Sequence, residues 1–489
     1  MAGIGFELKK LFSKKGLFAL IRAYGYAGIV CTGPMLLGMV LLAGVRMIAT
    51  FAGTAKDMQE LLICMITYSL LASLLVTNLL SMITTRYTAD MLYMNKDDRI
   101  MPSFYGSIAL TYVIGGLGYG IFLLFSGIEP MHQLCCFILF MELIVVWQEI
   151  NYLTAVKDYK GILLTFLMAV VAGLAAGYLL VRAGADPVLS LFGCVIIAYG
   201  IMLVWYYRLL IQYFPQGRGT SLAFMEWIDR YPQLMGVGTC IGIGLYIHLI
   251  LMWASPIGVQ IKGLFYSAPG YDVPALFAFL SILITTINFV TSVEVNFYPK
   301  YRNYYSLFND KGAIGDIKQA GKEMRKVLNM ELKYTALKQL LTTALVISVG
   351  GILLEYLPLG FNDLMEGYFR TLCVGYGIYA VANTMLLLLL YFTDYRGALA
   401  ASVIFAVGTS VFTVISLFCP QVYYGFGFLA GCVLFYFIVM IRLERYTRRL
   451  PYYILSIQPV VAEDKSGVFT RIGCFMDEKL ERRTSVDRN

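Results

Sequence analysis

Asp158-Tyr-Lys-Gly161 opens the run Gly161-Ile-Leu-Leu-Thr-Phe-Leu-Met-Ala-Val-Val-Ala-Gly-Leu-Ala-Ala-Gly-Tyr-Leu-Leu-Val181, which meets no charge until Arg182. About 20 residues of helix cross the ~30 Å hydrocarbon core of a bilayer, so this run predicts a membrane span. The tetrad returns 236 residues later as Asp394-Tyr-Arg-Gly397, ahead of a second apolar run, 398–417. A tetrad alone is ordinary turn chemistry. The same tetrad before the same kind of span predicts a duplicated architecture.

Working outward, twelve apolar stretches follow one another, at 24–52, 61–85, 104–126, 131–156, 161–182, 188–211, 233–254, 273–298, 334–357, 368–393, 398–417 and 424–442. Mean hydropathy is +0.73 and charged residues make up only 14% of the 489, against about 25% in soluble domains. The expected fold class is an all-α polytopic membrane protein with 12 transmembrane helices in two six-helix repeats. A second internal match supports the repeat. Asn78 to Tyr87 closes span 2 as Asn288 to Phe297 closes span 8, at an offset of 210. The two offsets differ because the loop 299–333 is longer than its counterpart 86–103. Parallel six-helix repeats keep one orientation and suit a transporter whose pathway lies between the halves. The expected units are an interfacial amphipathic helix at 1–22, bundles at 23–211 and 233–442, a linker at 212–232 and a tail at 443–489.

Charge sets the orientation. Of the 38 Lys and Arg, 33 fall on segments that share one side if the N-terminus is cytoplasmic. The other side keeps Arg46, Lys56, Arg182, Lys262 and Arg370. The positive-inside rule then places both termini in the cytoplasm. It also accounts for the net charge of +8 without nucleic acid. In 1–22, Ile4, Leu8, Leu11 and Phe12 alternate with lysines, the pattern of a helix on anionic lipid. Gly33-Pro34 predicts a kink in span 1. Within 299–333, Ile314, Ile317, Met324, Val327 and Leu328 recur at helical spacing among basic residues. That segment is expected to lie on the inner membrane surface or to dock a partner. The tail is expected to be partly disordered after Pro459.

Polar residues at membrane depth are the candidate site. Glu142 and Glu149 stand seven residues apart on one face of span 4, and Gln148, Asn151 and Tyr152 extend that face. A charge at mid-bilayer costs about 2.5–3.5 kcal/mol on insertion scales, so it should face a cavity or a partner. Two readings stand: a lining for a polar or cationic substrate or a proton site, and an ordinary contact between helices. Glu294 lies beside Lys300 and Arg302 and can pair there. Asn78, Asn288 and Asn383 suit either a pathway or interhelical hydrogen bonding. His248 can titrate or serve as a helix contact. Tyr376 and Tyr379 offer ring faces to sugars. The ten cysteines contain no CxxC and lie mostly in spans, so they read as small apolar packing residues. Only two histidines occur, which argues against a zinc site. No phosphate loop, HExxH or GxSxG is present, so neither an enzyme nor a cofactor is expected. Asp97-Asp98 alone is too little to make a metal-dependent site.

Met1-Ala-Gly-Ile-Gly-Phe-Glu-Leu-Lys-Lys-Leu11, Ala23-Tyr-Gly-Tyr-Ala27, Thr32-Gly-Pro-Met35, Thr85-Arg-Tyr-Thr-Ala-Asp90, Phe297-Tyr-Pro-Lys-Tyr-Arg302 and Tyr391-Phe-Thr-Asp394 closely resemble the PelG family. That family is the polytopic membrane component of the Pel exopolysaccharide system. The resemblance runs to about residue 450. It implies a MATE-like fold within the multidrug/oligosaccharidyl-lipid/polysaccharide exporter group. It further implies a cytoplasmic glycosyltransferase and other membrane subunits as partners. The implied substrate is a polymer rich in partly deacetylated amino sugars, whose cationic character suits Glu142 and Glu149. The expected function is polysaccharide transport across the cytoplasmic membrane. A cation-coupled small-molecule exporter and a non-transporting scaffold for the glycosyltransferase are the alternatives.

Overall fold

The computed structural model describes residues 36–156, 158–214, 217, 221–309, 312–356, 361–457 and 467–486. The first half holds α1 (36–51), α2 (Lys56–Tyr93), α3 (Ile100–Phe125), α4 (Pro130–Val156), α5 (Tyr159–Arg182) and α6 (Pro187–Tyr213). A short linker helix, α7 (Met225–Arg230), follows. The second half holds α8 (Pro232–Trp253), α9 (Pro269–Phe279), α10 (Leu283–Thr291), α11 (Tyr298–Asn309), α12 (Ile314–Tyr356), α13 (Asp363–Tyr391), α14 (Tyr395–Leu417) and α15 (Tyr424–Arg448). After them come α16 (Leu450–Ile457) and α17 (Val468–Val486). Among the described residues, eleven helical segments are long and apolar enough to cross a membrane; α1 is the described part of the first predicted span. The interfacial helix expected at 1–22 and the Gly33-Pro34 kink lie outside the described residues.

The duplication is physical. Asp158 caps α5 by accepting from Gly161 N at 2.9 Å, and Asp394 caps α14 by accepting from Gly397 N at 3.1 Å. Capping oxygens satisfy amides that a helix start leaves unpaired. The glycines are needed because a Cβ would fall 2.4 Å and 2.1 Å from the capping carboxylates. Packing repeats as well. In the first half α4 packs on α2, α3 and α6, α5 on α6, and α1 on α5 through Gly44 and Leu174. In the second half α13 packs on α9, α12 and α15, α14 on α15, and α8 on α14 through Gly244 and Phe405. Each half encloses its own apolar core. Leu117, Ile121, Val204, Leu341 and Val407 point outward, as lipid-facing side chains do.

Three segments differ from the sequence reading. Span 8 is not one helix: α9 and α10 are separated by a 3-10 turn at Leu280–Ile282, and a π-type turn, Ser292–Phe297, precedes α11. Pro274 lacks a donor, and the β-branched run from Ile282 to Val290 has weak helix propensity. Next, the amphipathic stretch of 299–333 does not lie flat as a separate helix. It continues into span 9 as α12, 43 residues and about 65 Å long. No Gly or Pro falls between Lys322 and Val349 to stop it. Its apolar stripe, Ala320, Met324 and Leu328, is buried, with α11 folded back alongside it; Tyr304 of α11 packs on Gly321, and Lys300 pairs with Glu323 at 2.9 Å. Finally, 468–486 is helical and docks on the linker. Asp229 accepts from Thr470 N and Oγ1, both at 2.7 Å, and Asp477 accepts from Ser221 Oγ at 3.1 Å.

Candidate functional site

Among the described residues the halves meet mainly along one antiparallel pair, α2 and α8. At mid-depth Gly238 and Gly242 lie against Asn78. A Cβ on Gly238 would sit 2.6 Å from Asn78 O, and one on Gly242 2.7 Å from Asn78 Nδ2. Small residues four apart let helix backbones approach closely in a bilayer. Near the end that carries the Lys/Arg-rich loops, hereafter the basic end, the Arg86 guanidinium lies over the Tyr231 ring at 5.6 Å, and Tyr231 packs edge-on against Tyr395 at 5.5 Å. Asp90 accepts from Arg86 Nε at 3.1 Å and Trp227 Nε1 at 2.8 Å, tying the linker to α2.

At the opposite end a β-hairpin of the second half clasps the first. Its strands are β1 (Val259–Lys262) and β2 (Phe265–Ser267). Leu264 N donates to Ser126 O at 2.8 Å, and Lys262 Nζ meets Glu129 Oε1 at 3.0 Å. Tyr68 OH donates to Tyr266 O and accepts from Tyr266 N, each at 3.1 Å. Gly263 and Gly127 both have positive φ, and a Cβ on Gly263 would fall 1.9 Å from Ser126 O. Only glycine lets the hairpin tip seat there.

Beside the clasp is a cavity of about 590 Å³, lined by residues that include Tyr68, Tyr119, Phe122, Trp253 and Tyr266. Trp253 of α8 stacks on Tyr68 of α2 at 4.7 Å and 15°. The near-parallel series continues through Phe122 and Tyr119 to Phe140. The Trp253 indole donates to the Asp272 carboxylate at 2.9 and 3.1 Å.

The helix 4 carboxylates are not on this seam. Glu142 reaches toward Gly200 of α6, inside the first half. Glu149 is fully buried, within electrostatic reach of Tyr112 and Tyr206, and neither of its oxygens has a hydrogen-bond partner among the described residues. Gln148 Nε2 donates to Thr111 Oγ1 at 3.3 Å. Tyr152 is a core residue, hydrogen-bonded to Ser103 Oγ at 3.1 Å and packed on Phe104. Asn151 is half-buried on the same helix.

The remaining candidates separate. Asn78 is at the seam. Asn288 belongs to the second half's interior, donating to Thr335 Oγ1 at 2.7 Å and accepting from Lys338 Nζ at 2.6 Å. Asn383 is half-buried in α13. The Glu294 side chain lies outside the described residues. His248 is a fully buried contact between two tyrosines, Nδ1 to Tyr271 OH at 2.9 Å and Nε2 to Tyr376 OH at 3.3 Å. Tyr376 and Tyr379 are buried, Tyr379 between Phe405 and Phe435, so they present no free face to a sugar.

Residues 1–455 match the PelG family, described as an exopolysaccharide exporter, EPS-E. The chain belongs to the PelG family. No curated protein matches the sequence. Similar solved structures are MATE transporters. An outward-facing MATE transporter of the MOP superfamily has a TM-score of 0.56 at 12% identity, over 92% of this chain and 100% of its own. An inward-facing one has 0.54 at 12%, over 87% and 99%. A MATE in complex with MaL6 has 0.56 at 9%, over 87% and 97%. This PelG-family protein therefore has the MATE fold and a transporter's role in a membrane. The family match ends before α17, so the tail helix lies beyond it.

Sequence reasoning missed Tyr68, Trp253 and the clasp. The hairpin had a signal: Val259-Gln-Ile-Lys-Gly263-Leu-Phe-Tyr alternates around a glycine. The pairing of Tyr68 with Trp253 had none, because nothing local links two distant helix ends.

Proposed function

We propose that this protein carries an exopolysaccharide across the cytoplasmic membrane, between its two halves, while a partner glycosyltransferase extends the chain. The seam carries this reading. In an exporter-family chain, two six-helix halves joined along one helix pair and clasped at one end have the build of halves that rock. The basic end is cytoplasmic by the positive-inside rule, which puts the clasp at the exit side. At the basic end α11 and the start of α12 project from the membrane with Arg302, Lys318, Lys322 and Lys326 exposed, a surface suited to an acidic face of the glycosyltransferase or to another membrane subunit. A Pel-type amino-sugar polymer is the substrate the family suggests.

Glu149 and Glu142 serve this reading from inside the first half. Both oxygens of Glu149 and one of Glu142 are buried with no hydrogen-bond partner among the described residues, which suits carboxyls that hold a proton or a cation. Their occupancy would bias how that half packs against the other. The MATE fold favours one second reading, an ion-coupled small-molecule exporter using the same seam. That protein would move cationic dyes in vesicles without partners.

The test is secreted polymer from cells carrying the whole synthase set, with wild-type protein or Glu149→Gln at equal membrane levels. Loss of secretion, with the glycosyltransferase still bound and active, is the expected result. Unchanged secretion would remove Glu149 from the mechanism and favour a scaffold.

A further inference from the structure

We propose that the cavity beside Tyr68 and Trp253 is a binding subsite for pyranose rings of the transported chain, and that the Tyr68–Trp253 stack is a gate whose ring–ring contact a sugar ring replaces as the halves part. The inference rests on the polysaccharide reading above and adds the place and the chemistry of recognition.

Position is the first argument. Tyr68 comes from one half and Trp253 from the other, so their stack must open whenever α2 and α8 separate at this end. Chemistry is the second. The C–H faces of a pyranose carry slight positive charge and pack on the negative face of an aromatic ring. Trp253, Tyr68, Phe122, Tyr119 and Phe140 form a series of rings, each within 26° of its neighbour, that crosses from one half into the other. Tyr68, Tyr119, Phe122 and Trp253 line the cavity and the buried Phe140 backs them, so the wall offers aromatic faces that are indifferent to ring substituents, which suits a polymer moving past. Pre-organisation is the third. Trp253 is held by Asp272 within the second half and Tyr119 by Ser69 at 2.9 Å within the first, so these ring planes stay fixed as the halves part. The volume, about 590 Å³, is within the usual 300–1,000 Å³ of small-ligand sites. A lipid chain would also fit an apolar wall, but it gains nothing from rings fixed in parallel across a moving seam.

The test is calorimetric titration of the purified full-length protein in detergent with the tetrasaccharide of N-acetylglucosamine. Saturable binding is expected, weakened about tenfold by Trp253→Leu and by less than threefold by Trp253→Phe, which keeps a ring but loses the indole N–H. Should Trp253→Leu fail to fold, Trp253 fluorescence in a protein with Trp147, Trp205 and Trp227 replaced by Phe reports the same site, and a saturable change is expected. No binding by the wild type, equal binding by Trp253→Leu, or oleate binding where the tetrasaccharide does not, would each overturn the inference. The transport reading fails separately. Polymer secretion without tetrasaccharide binding would leave transport standing and remove only the subsite.

Discussion

Arg442 donates through Nε and Nη2 to both carboxylate oxygens of Asp394, at 2.6 and 2.8 Å, while Asp394 also caps α14. Its counterpart Asp158 caps α5 and, among the described residues, also accepts from the Tyr213 hydroxyl at 3.1 Å. The Asp394 turn is thus tied to α15 by an ion pair, and the Asp158 turn to α6 by a tyrosine hydroxyl. Asp394 is 5% exposed, so Arg442→Met strands a buried carboxylate. That substitution should cost about 2–3 kcal/mol, below the fully buried case because the arginine is partly exposed. Asp158→Asn should cost about 1 kcal/mol, the worth of a cap. Thermal unfolding in detergent checks the order, and equal losses would contradict it.

The seam should not tolerate bulk. Gly238→Leu and Gly242→Leu push against Asn78, and overpacking of a close contact costs about 1–3 kcal/mol. Gly270, with open space around its Cβ position, is the control. Polymer secretion should fall for the two seam variants and hold for Gly270→Ala. Normal secretion by both seam variants would show that close approach of α2 and α8 is dispensable.

The clasp should be acid-labile. The hydrogen bond and charge of Lys262 hold the Glu129 carboxyl below its ordinary value. A group with a depressed value in the bound state stabilises that state above its free value and loses the contribution as pH falls through the bound one. Hydrogen exchange of β1 and β2 should therefore be slow at neutral pH and speed up under acid, below the usual carboxylate range. In Lys262→Met that acid step should shrink to the part supplied by His132, whose Nδ1 lies 3.8 Å from Glu129 Oε2. A step of unchanged size in the variant would place the sensitivity elsewhere.

The tail helix should come off the linker when its outside cap is removed. Burial works to raise the Asp229 carboxyl, but hydrogen bonds from Thr470 and Phe469 outweigh it and hold the group below the ordinary range. Docking is then strongest near neutral pH and weakens as pH falls. Asp229→Ala should expose 467–486 to protease at a cost of about 1 kcal/mol, while the spans stay intact. Protection equal to wild type would mean that the Asp477 contacts suffice.

How much of this was legible follows from what is local. Apolar runs, caps such as Asp158 and Asp394, and the basic asymmetry are written within a few residues, so spans and repeat could be read directly. The continuity of α12 was legible too, in the lack of any breaker between Lys322 and Val349, but membrane hydropathy suggested a boundary where the backbone has none. Helix faces were the harder part. Glu142 and Glu149 share a face, yet spacing does not say whether that face meets the other half or the interior of its own. Tyr376 and Tyr379 illustrate the same limit, since aromatic character fits a sugar platform and a core equally well. Contacts between halves depend on long-range packing, so Tyr68 with Trp253 and Gly127 with Gly263 appear only in three dimensions.

The most direct test of passage between the halves is secretion by a protein with Glu129→Cys and Lys262→Cys, joined by a short bis-maleimide linker across the clasp. Linking should stop polymer secretion, either single-cysteine protein treated alike should still secrete, and the glycosyltransferase should stay bound throughout. Undiminished secretion from fully linked protein would mean that the halves need not part at this end, and would contradict the pathway proposed here.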